Sequence, residues 1–176
     1  MSIDFKNTST QYGLIARVLH WTSVVMLLTL IVIASQFSDK DAGPDKLALV
    51  IQHSSIGMLF LLVMLARLTW RNLNPNPIHS YNIKAWQKLL AISLHRSIYV
   101  ILISQCLLGL LILLSSGKPV HFFDWFALPP LFDKAAAFHK AVEGYHYLVS
   151  VMIYPLFAVH ITAAIYHQIF GLVDEH

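Results

Sequence analysis

The chain has 176 residues, 57% of them hydrophobic and only 12% charged, where soluble domains carry about 25% charged residues. That balance excludes an ordinary water-soluble globule. The net charge of +3 is of the size that sets membrane topology and gives no reason to expect a nucleic-acid partner.

The N-terminal stretch MSIDFKNTSTQ is polar and lacks a basic segment followed by a small-residue cleavage site, so a removed signal peptide is not expected. Four apolar stretches follow, each long enough for the roughly 20 residues a bilayer crossing needs. They run from about 12 to 37, 47 to 70, 89 to 114 and 141 to 170. The expectation is one all-α domain over 1–176, an integral membrane four-helix bundle. SDKDAGPDK joins the first two spans, with Gly43-Pro44 as a breaker. RNLNPNPIHSYNIK joins the next two, with Pro75 and Pro77. The longest connection, Ser115 to Lys140, holds Phe122, Phe123, Trp125, Phe126 and Leu128. These are too few to span, and they suit a segment on the membrane surface or a lid over the bundle.

Basic residues give direction. One side holds Lys6, Arg17, Arg67, Arg71, Lys84, Lys88 and Arg96 against Asp4, Asp174 and Glu175. The other holds Lys40, Lys46, Lys118, Lys134 and Lys140 against six acids. The positive-inside rule puts both termini in the cytoplasm of a bacterial inner-membrane protein.

Topology sorts the ten histidines. His146 and His160 are fourteen residues apart in the last span. Fourteen helical steps return within roughly 40° of one face and advance about 21 Å. His53 matches His146 in depth near the outer face, and His20 matches His160 near the inner face. His95, slightly shallower than His20, is the rival inner ligand and is followed by Arg96. Ionisable groups inside spans are costly and usually functional. His79, His121 and His176 read as solvated loop or terminal residues, and His139 and His167 as interfacial ones.

The chemistry follows from what accompanies these imidazoles. Only Glu143 among the acids touches a span, at its edge, which excludes a carboxylate-rich di-iron centre. The single cysteine, Cys106, and the lack of C-x-x-C-H exclude a disulfide and covalent haem. Two histidines per level and no other ligand fit two b haems, His20 and His160 on the inner iron, His53 and His146 on the outer. Gly57 and Gly109 suit either a flat macrocycle or close helix packing. Pro155 should bend the last helix and free the Val151 carbonyl. Arg17, one turn before His20, suits a propionate partner or a snorkelling cation. Trp21, Trp70, Trp86 and Trp125 read as interface anchors.

The stretch R-V-L-H-W at Arg17 to Trp21, His53 on the second span and the His146/His160 pair resemble the bacterial cytochrome b561 family. That family is similar to the di-haem b subunits of nickel-iron hydrogenases and formate dehydrogenases. It is unlike the six-helix eukaryotic proteins of similar name. The resemblance covers essentially the whole chain and implies a four-helix bundle with two b haems in the pairing above. The chain looks most like the small stand-alone type, for which the resemblance implies a superoxide oxidase passing electrons to ubiquinone. The alternative is an anchor and relay subunit for a periplasmic hydrogenase or dehydrogenase. Under the first reading no protein partner is required. Lys118, Lys134 and Lys140 would steer superoxide, while Arg17, His95 and Arg96 would serve the quinone, with His139 or His167 as alternatives.

Overall fold

The computed structural model describes residues 4–38, 40–75, 77 and 85–170, with every side chain of the last segment except those of His167, Gln168 and Phe170. His79, Lys84 and the C-terminal Asp174, Glu175 and His176 fall outside the described residues, as does the His167 side chain. Four helices form: α1 (Leu14–Ser38), α2 (Pro44–Leu73), α3 (Ala85–Ser115) and α4 (Ala136–Phe170). All four are long and apolar enough to cross a membrane.

Local chemistry sets their ends. Gly13 delays α1 past Tyr12. Its N–H donates to Asn7 Oδ1 at 3.1 Å, while Asn7 Nδ2 donates to the Pro75 carbonyl at 3.0 Å. The first N–H groups of α1, at Leu14 and Ile15, find the carbonyls of Asp4 and Phe5 at 2.9 and 3.4 Å. A helix start thus has its unpaired donors satisfied by a folded N-terminal segment. Helix α2 begins on Pro44 after Gly43, with Asp45 in its first turn; proline needs no donor there, and the acid faces the positive dipole end. It ends before Pro75, which pushes Asn74 into extended backbone. Helices α3 and α4 begin four to five residues before the apolar stretches. Lys88, His139 and Lys140 are poor in hydropathy but compatible with a helix. Hydroxyls inside the spans return to their own helix, as Thr29 does to the Val25 carbonyl at 2.9 Å, because lipid offers no partner.

The long connection is ordered and touches the bundle. It contains a small hairpin, β1 (Val120–Phe122) and β2 (Phe126–Leu128), paired antiparallel with Val120 opposite Leu128. The turn residue Phe123 sits in the left-handed region, φ 46°. Its N–H donates to the Ser55 hydroxyl on α2 at 2.7 Å. Gly117, φ 66°, lets the chain leave α3 close against Lys134, whose N a Cβ would approach to 2.8 Å.

Leu27, Leu30, Phe60, Met64, Ile98, Leu102 and Ile153 make the buried core. Helices α1, α2 and α3 supply most of it, and α4 adds Ile153, with Leu156 and Phe157 packed against the cluster. Helix α1 packs on α2, α2 on α3 and α3 on α4. Among the described residues no comparable packing joins α4 to α1 or α2. The outward faces carry Val25, Leu62, Val100 and Val159, all more than half exposed, as a lipid-facing surface requires.

Candidate functional site

The histidines gather at the two ends of the bundle. At the hairpin end, His53 of α2 faces His146 of α4, ring centroids 6.5 Å apart and planes at 80°. Phe37 of α1 meets His53 edge-on at 5.5 Å. The His146 ring lies against α3 at Gly109, where an added Cβ would stand 3.3 Å from Cε1. The Nδ1 atoms of both imidazoles are buried without a hydrogen-bond partner. Ser55, two residues beyond His53, holds the turn of the hairpin, and its hydroxyl donates to the Ile51 carbonyl at 2.7 Å.

At the opposite end, His20, His95 and His160 line one cavity of about 280 Å³, with Arg17, Arg67 and Arg71 among its other walls. Arg67 holds the near wall together. It donates to the Ser23 hydroxyl at 2.8 Å and contacts His20 Nδ1 at 2.6 Å. Ser23 in turn donates to the His20 carbonyl at 2.7 Å. The Arg67 and Arg71 guanidinium groups lie over the Tyr99 ring at 5.6 and 5.7 Å, within cation–π range. Trp70 also lines this cavity, and its indole N–H is buried without a partner. Asn7 and Tyr12 bring the N-terminal segment to the same wall. His95 is prepared differently: its Nδ1 lies 2.7 Å from the Ala91 carbonyl. A carbonyl only accepts, so Nδ1 carries the proton and Nε2 is left as an acceptor.

These residues can be tested against haem. Two imidazoles bound to one metal at about 2.0 Å each place their ring centroids roughly 6 Å apart. The His53–His146 separation of 6.5 Å suits that, and both rings carry a buried unpartnered nitrogen. The His95–His160 separation is 5.4 Å, edge to face, shorter than that spacing. They also stand on α3 and α4, which pack directly, whereas His20 and His160 stand on α1 and α4, which do not. Both preferred pairs therefore join helices whose backbones approach less closely than those of directly packed neighbours. One feature requires rearrangement: guanidinium only donates, so His20 Nδ1 accepts from Arg67. An iron on Nε2 needs the proton on Nδ1, and Arg67 must then turn to another acceptor.

Other expected residues divide. Arg17 and His95 line the cavity, whereas Arg96 is exposed and does not. Lys118, Lys134 and Lys140 are exposed at the base of the hairpin and the start of α4. His139 is not simply interfacial: its Nδ1 meets the Ser115 hydroxyl at 2.9 Å and its Nε2 lies 3.3 Å from Glu143. Trp86 and Trp125 are exposed, as anchors should be, while Trp70 faces the cavity. From sequence Arg67 is a topology charge and Trp70 an interface anchor, while Ser23 and Tyr99 carry no expectation. A signal for Arg67 existed, since it follows His53 by fourteen residues, the same step that separates His146 from His160.

The family model for prokaryotic cytochrome b561 matches residues 11–173. The Escherichia coli (strain K12) protein named cytochrome b561 homolog 2 is 27% identical over 171 residues, covering 94% of this chain and 89% of that protein. With two histidine clusters buried at opposite ends of four membrane-length helices, the chain belongs to the prokaryotic cytochrome b561 family, as a multi-pass membrane b-type cytochrome that transfers electrons.

Proposed function

We propose that this cytochrome is a superoxide:ubiquinone oxidoreductase of the bacterial inner membrane, with two b haems and both termini in the cytoplasm. The observation that carries the two-centre reading is that His53 faces His146 at one end of the bundle while His20, His95 and His160 share one cavity at the other; the proposal assigns His20 and His160 as the ligands there. Bound there, the two b haems supply one-electron carriers at two membrane depths.

The protein's own groups divide the remaining work. Lys118, Lys134 and Lys140 surround the hairpin end and attract a small anion from the periplasm. Two superoxide anions give up two electrons and leave as two molecules of oxygen. Ubiquinone takes those electrons with two protons from the cytoplasmic side. The walls at that end suit an acceptor-only carbonyl: Arg17, Arg67, Arg71 and the Trp70 N–H are donors, and among the described residues no acid lines the cavity. His95, with Nε2 free of the Ala91 bond, can take a proton at that atom and pass it on. Arg96 stands away from this cavity and has no part in the proposal.

The test uses purified, cofactor-loaded protein. The pyridine haemochrome assay should give two haems b per chain. A superoxide source should reduce them, ubiquinone should reoxidise them, and rising ionic strength should slow the reduction. Reduction only in the presence of a co-purifying dehydrogenase would replace the proposal with the relay reading. Absence of haem from fully matured protein would end it.

A further inference from the structure

Two buried polar atoms on facing helices lack partners at the hairpin end: His146 Nδ1 on α4 and Gln105 Oε1 on α3. They are neighbours. The His146 ring rests on Gly109, with Cε1 3.3 Å and Nδ1 3.8 Å from the position of an added Cβ. Gln105 lies one helical turn before Gly109 on the same face of α3. An amide in the apolar middle of a bundle is expensive unless it is hydrogen-bonded. An imidazole that gives its Nε2 to a metal carries a proton on Nδ1, which then needs an acceptor.

From this geometry we infer that Gln105 is the positioning residue of the centre at the hairpin end: its side-chain Oε1 accepts the Nδ1–H of His146 when the Nε2 of that histidine is a ligand. The inference rests on the reading of His146 as a haem ligand and adds to it the group that fixes the ring. At the other end of the bundle the described contacts differ. His95 Nδ1 uses its own helix at Ala91, and His20 Nδ1 faces Arg67. The rival acceptor is the Gln105 main-chain carbonyl, which also lies beside the ring. That carbonyl also serves the helix, and its second lone pair remains open to the imidazole, whereas the side-chain oxygen is buried with no other partner and gains most from the bond.

An acceptor on Nδ1–H raises the electron donation of the imidazole and favours oxidised iron, so acceptor strength orders the potentials. The experiment is a redox titration with low-temperature electron paramagnetic resonance on loaded Gln105→Leu and Gln105→Glu proteins, beside the unaltered chain. The potential of the centre that His146→Ala removes should be highest with leucine, intermediate with glutamine and lowest with glutamate. Its low-field resonance should move in both variants, while the other centre stays fixed. Two well-folded variants with full haem content and unmoved potentials and spectra would assign the bond to the main-chain carbonyl and overturn the inference. If Gln105→Leu fails to assemble, the Gln105→Glu shift decides alone: a lowered potential supports the bond, and an unchanged one refutes it. Retention of both haems in His146→Ala would instead overturn the underlying ligand reading.

Discussion

Gly109 offers the sharpest steric test of the hairpin-end centre. An added Cβ would stand 3.3 Å from His146 Cε1 and 3.8 Å from Nδ1. Optimal carbon contacts lie at about 3.5–4.0 Å, so Gly109→Ala asks the ring to give by a few tenths of an ångström. Overpacking of this kind costs about 1–3 kcal/mol, while alanine returns about 1 kcal/mol of helix propensity over glycine. The net effect on the bundle is then about 0–2 kcal/mol, and the protein should fold. The strain falls on one imidazole, so it should appear selectively in one centre. Gly109→Ala should retain both haems and alter the spectrum and potential of the His53–His146 centre alone. Gly109→Leu, which drives a branched side chain into the ring, should lose that haem and keep the other. Haem content per chain with a redox titration reads both outcomes. Gly144→Ala, where an added Cβ meets nothing within 4 Å, serves as the control. A Gly109→Leu protein with both haems and unaltered spectra would refute the packing of His146 on α3.

The remaining predictions concern the other contacts. His20→Ala should lose the haem of the N-terminal end while His95→Ala keeps it and loses quinone reduction; the reverse haem contents would exchange the ligands. Arg67→Met removes the group on His20 Nδ1 and Ser23 Oγ, leaving buried acceptors that cost about 1–3 kcal/mol each. The centre at His20 should change in potential and bind its haem more weakly, with the centre at His146 unchanged in the same titration. Ser55→Ala deprives the Phe123 N–H of its partner, a loss of about 1–3 kcal/mol. Amide exchange across the hairpin should rise while exchange in the core of α3 stays slow, and equal exchange in both proteins would show the strap to be dispensable.

The gathering of His53 with His146 at one end, and of His20, His95 and His160 at the other, was legible in sequence because a helix converts residue spacing into direction and depth, and because span ends fix the origin of that count. Arg67 was missed for a reason within the same logic. It was counted as a topology charge, although it sits deep enough in α2 to reach His20 on α1. What the count along one helix cannot supply is the neighbour across the gap. Gln105, Ser55 and Trp70 matter through which atoms they leave bonded or unbonded, and that depends on side-chain rotamers and helix rotation. The hairpin was illegible for another reason. Three-residue strands rich in phenylalanine have the composition of any interfacial segment, and neither their pairing nor the bond to Ser55 on a distant helix can be counted along the chain. The folded N-terminal segment depends likewise on one side chain, Asn7, bonding to Pro75 across the chain.

The seating of α4 bears on what the proposed haems would do for the fold. This helix makes its close backbone approach to α3 and reaches the core shared by the other three helices through Ile153. A haem held by His146 and His53, or by His160 and His20, would join α4 to the two helices it approaches least. Each haem would then be a cross-brace as well as an electron carrier, and loss of a ligand should lower thermal stability along with haem content.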